Sequence, residues 1–351
     1  MAITRLFQMG GEVDGSNSHL IEWHAVLDVS TPVTYPKTGE RSFYLNDVYG
    51  QNYAIRSTPY AISQGRAGMW CLLGDVYDSG PRDLVTLQTN GVGLVEVRLH
   101  KTDRVLSLYL NDVLQDTGTT VIPVFSDEED YIHIGIDFKI ANSGGWIYVY
   151  LNGVEELSMD GDTLAGSYSE VDALMVGRSY GTVKTSYWDD IYMDATAGEA
   201  APATVPSLRF GYIRPDGNGN SSGLTGSDGN QVDNYLLVDD EPHDDDTTYV
   251  LALAATLKDT YAMEAFVVPD GWDIAAIIPC HIIRKIRAEV ANQVKTVVRS
   301  SASEAAGSAQ GLPTSYGLLW ERQITDPNGD VAWTQGALDS VEIGVESAGT
   351  F

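Results

Sequence analysis

The residues able to do chemistry fall into a few short stretches. Trp188-Asp189-Asp190 is the nearest thing to a hydrolytic cluster. A retaining glycosidase needs two carboxylates about 5–5.5 Å apart on either side of a cleft. The plainer reading makes Ser186 to Asp194 a strand, with Trp188 and Tyr192 on one face, Ile191 in the core and the aspartates at the rim. That reading leads, because two acids without a cleft are weak evidence for an enzyme. Asp239 to Asp246 (DDEPHDDD) is crowded with groups able to bind a cation, and oxygen-rich loops suit calcium. The spacing is not that of an EF-hand, and clustered acids are more often a solvated loop. Asp326, Asn328 and Asp330 alternate in DPNGD as calcium-loop ligands do, but the same letters make a β-turn, and the turn reading leads.

Other candidates are weaker. Arg214 to Asn230 (RPDGNGNSSGLTGSDGN) has the glycines of a phosphate loop but no GK[ST] and no helix pattern after it, so it reads as a long exposed loop. His133 lies in YIHIGIDFKI on the face opposite Ile132 and Ile134, where a lone histidine is usually structural or at the surface. The six histidines are scattered, and no Ser-His-Asp arrangement emerges. Trp146, Tyr148 and Tyr150 share one face of an extended chain. Aromatic faces stack on sugars, yet packing in the core or against another subunit is the leading reading for such a patch. No catalytic residue is assigned.

The elements that would hold these residues are strands. WIYVYLNGVEELS (Trp146 to Ser158) runs into Asn-Gly, which accepts positive φ at both centres of a two-residue type I′ hairpin. Leu-Asn-Asp-Val occurs twice earlier, at Leu45 and Leu110, and Asn-Asp tolerates the same turn. These are hairpin signals without a fixed repeat period. Further strands are predicted at Ser42 to Asp47, Gly68 to Gly74, Leu84 to Thr89, Leu94 to His100, Val105 to Asn111, Tyr131 to Ile140 and Ser186 to Asp194. Leu94 to His100 alternates cleanly, with Val95, Val97 and Leu99 opposed to Glu96, Arg98 and His100. In the second half, period two over Ile282 to Val298 predicts two strands turning at Asn292-Gln293, and Ala337 to Ser347 predicts one helical turn entering a last strand. The expected class is all-β: two antiparallel β-sandwich domains of jelly-roll type in tandem. They span residues 1–197 and 207–351, with the small, proline-bearing stretch 198–206 as linker.

Composition bounds the function. The chain has 351 residues and a formal charge of −28. Such an acidic surface repels nucleic acid and anionic lipid, and suits solubility at high local concentration. Cys71 and Cys280 make no disulfide framework or zinc cluster and read as buried thiols. MAITRLFQMGGEVDGS lacks the apolar core of a secretory leader, and no run reaches the length of a membrane span, so synthesis in a cytoplasm is expected.

Thr38-Gly39 with Ser42, the hairpin Tyr150 to Gly153 and Trp188 to Asp194 (WDDIYMD) follow one another in an order that resembles concanavalin A-like lectin/glucanase sandwiches, in the version found in tailed-bacteriophage virion proteins. Val238 to Val250, Lys258 to Phe266 and Leu312 to Glu346 are similar to the module that often follows it. Hydrolases of this fold often carry Glu-x-Asp-x-x-Glu on one strand, and this chain has no such run. The resemblance implies a non-enzymatic structural protein of the capsid or tail, in several copies, contacting other virion proteins. The alternative is an adhesin for host glycans. No cofactor is expected apart from the calcium candidates.

Overall fold

The computed structural model describes residues 4–9, 25–27, 29–30, 43–46, 52–74, 81–100, 102–126, 130–164, 166–178, 185–198, 200, 205–240, 244, 246–288 and 290–351. They are nearly all β, and the chain divides into two compact units, Met1–Gly211 and Tyr212–Phe351. Among the described residues the only helices are one turn of 3-10 helix at Asn234–Leu237 and one of α-helix at Gln335–Leu338, and no helix is long and apolar enough to cross a membrane.

Unit 1 contains β1 (Thr4–Met9), β2 (Ala25–Leu27), β3 (Val29–Ser30), β4 (Phe43–Asn46), β5 (Asn52–Ile62), β6 (Gln64–Leu73), β7 (Arg82–Thr89) and β8 (Val92–Leu99). These are followed by β9 (Leu106–Leu110), β10 (Val113–Thr117), β11 (Ile132–Lys139), β12 (Gly145–Leu151), β13 (Val154–Gly161), β14 (Val171–Arg178) and β15 (Thr185–Ala195). One sheet runs β13-β12-β11-β6-β15-β4-β3, with β1 also on β15; the other runs β10-β9-β8-β7-β14-β5-β2. All the pairs are antiparallel, as the alternating patterns predict. Leu45, Met69, Ile134, Ile136 and Trp188 from the first sheet meet Leu84, Val95, Leu108 and Leu174 from the second in one buried core. Truncating one such side chain to alanine costs about 2–5 kcal/mol.

Local turn chemistry sets the register. Asn90-Gly91 (φ 48 and 75), Asn111-Asp112 (49 and 63) and Asn152-Gly153 (51 and 82) close the hairpins β7–β8, β9–β10 and β12–β13 with positive φ at both central residues. The turn after Leu45 passes outside the described residues. Asn152 also ties its hairpin to the neighbouring strand: its backbone N–H donates to His133 O, and its Oδ1 accepts from His133 N, both at 2.8 Å. At one side of the sandwich the outermost strands of the two sheets are joined by side chains. Asp116 on β10 accepts from Ser158 N on β13 (2.8 Å), and Glu156 on β13 accepts from Thr119 N (2.6 Å) and Thr120 N (2.7 Å).

Unit 2 contains β16 (Pro215–Ser222), β17 (Thr225–Gly226), β18 (Val250–Leu251), β19 (Lys258–Met263), β20 (Cys280–Ile283), β21 (Asn292–Ser300), β22 (Ser303–Ala306), β23 (Gln310–Gly311), β24 (Gly317–Trp320), β25 (Thr325–Asp326), β26 (Val331–Ala332) and β27 (Val341–Gly349). One antiparallel sheet runs β16-β19-β27-β21-β22, with β23 also on β21, and three two-stranded ribbons, β17-β18, β20-β24 and β25-β26, complete the unit's strands. Val298, Val341 and Ile343 pack with Ile277 and Trp333. The helical turn at Gln335–Leu338 enters β27 as predicted, with Thr334 Oγ1 accepting from Ala337 N as its cap (3.2 Å).

Unit 2 differs from the sequence expectation in three places. The first half of the Gly-rich stretch, Pro215–Ser222, is a strand rather than exposed loop, while Asp228 to Asn230 are exposed turn: β16 pairs with β19, and a side chain at Gly219 would strike Thr260 O at 2.3 Å. Glycine is there to let two backbones close on each other. Asn292 begins β21 instead of turning a hairpin, and β20 pairs with β24, so the two predicted strands are not partners. Cys71 is buried but Cys280 is exposed, so only the first is the interior thiol expected.

Candidate functional site

The face of the first sheet turned away from the core collects the residues singled out above. Strand pairing lays them in rows. Trp146, Lys139 and Gln64 form one row; Tyr148, Asp137, Arg66 and Asp194 the next; Tyr150, Gly135, Gly68 and Tyr192 the third; and His133, Trp70 and Asp189 the fourth. Period two on β11 puts Ile132, Ile134, Ile136 and Phe138 inward and leaves the odd positions for this face.

A strap covers the middle. The chain past β15 comes back over the sheet, and Val205 lies with Tyr150 and Tyr192 in a buried cluster flanked by Leu208 and Phe210. Two glycines make room for it. A Cβ at Gly135 would stand 2.6 Å from Val205 Cβ, and one at Gly68 would stand 2.4 Å from the Tyr192 ring. Polar bonds fix the strap along its length. Tyr192 OH donates to Pro206 O, Trp70 Nε1 donates to Leu208 O (3.0 Å), and Phe210 N donates to Asp190 Oδ1 (2.8 Å). Residues 205 and 206, assigned above to the linker stretch, therefore lie against this sheet.

The acidic-aromatic cluster on β15 is arranged differently from the expectation. Asp190 has φ 50, and the register against β6 shifts between Asp189 and Tyr192. This bulge reverses the alternation, so Trp188 and Ile191 both enter the core while Tyr192 faces the strap. The aspartates do not reach the rim: both are fully buried, with Asp190 holding the strap and its N–H donating to Asp189 Oδ1 (2.8 Å). They serve backbone geometry and lie in no open cleft.

His133 is fully buried, and neither ring nitrogen has a hydrogen-bond partner. Its ring packs on Trp70 at 5.2 Å between centroids. Burial pulls its pKa down to about 4, which keeps it neutral.

The open part of the face lies beside the strap, on β11, β12 and β13. Trp146 and Tyr148 are half-buried neighbours, each anchored by a carboxylate. Trp146 Nε1 donates to Asp137 Oδ2 (2.7 Å), and Tyr148 OH donates to Asp160 Oδ1 (2.6 Å). The bond to Asp160, then burial, pushes Tyr148 up to about 12, so its hydroxyl keeps its proton. Lys139 Nζ sits 4.9 Å from the Trp146 ring centre. Asp137 is buried in the row with Arg66 and Asp194, opposite charges side by side across the strands, whereas Asp160 and Glu155 are exposed. The two aromatic positions were legible from their alternation. Asp137 and Asp160 were missed, although Asp137 shares the odd-numbered face of β11 with His133.

Among the described residues no group of three ligating side chains is placed to hold a metal. Asp244 Oδ1 accepts from Thr248 N (3.0 Å), and Asp246 Oδ1 accepts from Arg284 Nη2 (2.5 Å) and Tyr316 OH (2.8 Å). Residues 241–243 and 245 lie outside the described residues. Asp326 Oδ1 accepts from Asn328 N (2.8 Å), and Thr325 Oγ1 donates to Asp330 Oδ1 (2.6 Å), so DPNGD closes the β25–β26 turn with its own side chains. The fully buried carboxylate is Asp259, which sequence reading missed. It accepts from Gly223 N (2.6 Å), Leu224 N (2.8 Å), Asn234 Nδ2 (2.6 Å) and Tyr261 OH (3.0 Å), pinning the chain after β16 to β19.

No known protein family matches the sequence, and no curated protein does. Among solved structures, the chain is similar to the cellulose-induced protein Cip1 at 14% identity over 59% of this chain and 99% of that one, with a TM-score of 0.41. It is similar to the alginate lyase Aly36B in complex with alginate trisaccharide at 9% identity over 55% and 98% of the two chains, TM-score 0.39. The carbohydrate-binding module CBM66 from Bacillus subtilis matches at 9% identity over 48% and 97%, TM-score 0.30. The fold class stands on the strands themselves; at these scores the likenesses assign neither site nor ligand.

Proposed function

We propose that the chain is a non-enzymatic binding protein whose first unit holds a glycan against Trp146 and Tyr148. The observation that carries this reading is the pair of half-buried aromatics on the open side of the strap, each fixed by a hydrogen bond to a carboxylate. Such rings are pre-oriented, so stacking a sugar on them costs little ordering. Neighbouring acceptors can take the sugar's hydroxyl protons. The non-enzymatic part is supported by the burial of Asp189 and Asp190, the acids nearest to a hydrolytic pair in the sequence. A glycan array with the purified chain tests the proposal. Binding that disappears in Trp146→Ala and Tyr148→Ala is expected, with no polysaccharide turnover in any sample. Turnover, or binding indifferent to both substitutions, would overturn it.

The second reading concerns setting. The ordered resemblance of Thr38 to Asp194, and of Val238 to Glu346, to tailed-phage virion proteins supports a component of a capsid or tail, present in several copies among other virion proteins. The charge of −28 would keep crowded copies from clumping. The two readings fit one protein, a multivalent adhesin on a particle. Electron microscopy of particles labelled with an antibody against this chain tests the setting, and mass photometry tests the oligomer.

A further inference from the structure

Resting on the glycan reading, we infer that the platform selects saccharides that carry no negative charge and rejects uronate- and sialate-type acids. The inference comes from what surrounds the two rings. Among the described residues, the accessible charged groups beside the two rings are Asp160, directly across from Trp146, Glu155, across from Tyr150 in the next row, and one cation, Lys139. Below them Asp137, bonded to Trp146, lies across from Arg66, so the buried pair adds no net anion to the platform. Lys139 is not free to recruit an anion at no cost, because its ammonium already lies over the Trp146 ring. Carboxylates accept hydrogen bonds and cannot donate them. Neutral sugars bring a hydroxyl donor at nearly every ring position and match that requirement; protonated amine-bearing sugars match it better. A sugar carboxylate brings another acceptor and another negative charge.

The size of the penalty follows from Coulomb's law. Two like charges about 5 Å apart in a half-solvated site repel by enough to weaken binding roughly tenfold. The whole-chain charge of −28 acts in the same direction at longer range and is screened by salt.

The test uses the full chain and an array of neutral, amine-bearing and carboxylate-bearing oligosaccharides, with calorimetric titration of the best binder of each class at low and high sodium chloride. Neutral and amine-bearing glycans are expected to bind, and carboxylated counterparts to bind at least tenfold more weakly, with the gap narrowing at high salt. Glu155→Gln removes an exposed charge without touching either ring's anchor and is expected to narrow the gap with neutral binding held; Glu155 is exposed, so the fold should tolerate it. Trp146→Ala should abolish binding of every class. Acidic glycans binding as tightly as neutral ones, and lost in Trp146→Ala, would sink the selectivity and leave the glycan reading standing. An array with no binder in any class would remove both.

Discussion

His133 gives the sharpest test of the outer-face architecture. Its imidazole is fully buried against Trp70, and its pKa is held to about 4 against an ordinary value of 6.5. The sign follows from linkage. Above pH 6.5 both folded and unfolded chains carry a neutral ring, and nothing is lost. Between 6.5 and 4 the unfolded chain takes a proton that the folded chain refuses, so stability falls as pH falls, and below 4 the effect is complete. The full gap corresponds to about 3 kcal/mol, of which about 2 kcal/mol is already lost at pH 5. Acid would therefore load the strap region, since Trp70 also donates to Leu208 O. The assay is urea unfolding of the wild type and of His133→Phe, which keeps an aromatic ring on Trp70, at pH 7 and pH 5. The wild type should lose about 2 kcal/mol more than the variant between the two values, other acid-sensitive groups being common to both. Parallel losses would show that the ring is solvated or partnered in solution, and the packing described for it would be wrong.

Other outcomes follow from single contacts. Gly135→Ala pushes a methyl group into Val205 and should cost about 1–3 kcal/mol while exposing residues 205–210 to limited proteolysis; an unchanged digestion pattern would contradict the strap. Asp190→Ala removes the acceptor of Phe210 N and should loosen the same segment by about 1–3 kcal/mol, read as faster limited proteolysis of residues 205–210. Asp259→Ala leaves several buried donors without their acceptor and should lower the stability of unit 2 by about 3 kcal/mol or more, seen as an earlier thermal transition. Millimolar calcium should leave Tm unchanged, because the described carboxylates at Asp244, Asp246, Asp326 and Asp330 already accept from protein donors; a raised Tm would assign a cation to one of these loops.

What could be read beforehand was what depends on neighbouring residues in the chain. Asn-Gly and Asn-Asp turns announce themselves because positive φ is a property of two residues. The inward isoleucines of β11 and the helical turn before β27 follow from periodicity alone. The rest depends on partners distant in sequence. The bulge at Asp190 arises where β15 changes register on β6, and nothing in WDDIYMD marks it. β16 has no apolar alternation to betray it, since PDGNGNSS is polar or glycine throughout apart from Pro215 and its ladder to β19 is made by backbone. The strap's seat exists because Gly135 and Gly68 leave a gap on strands far upstream of Val205. Of the site, the aromatic rings were visible, and the carboxylates that orient them were not, because Asp137 and Asp160 come from strands on either side.

The join between β10 and β13 has a consequence for how copies of the chain meet one another. An outermost strand ordinarily exposes a row of unused amides onto which a sister molecule can zip. Here Asp116 and Glu156 consume the N–H groups of Ser158, Thr119 and Thr120, and they set acidic side chains where a foreign strand would have to lie. Along that flank strand addition by another copy is disfavoured at Ser158 and at the segment that follows β10.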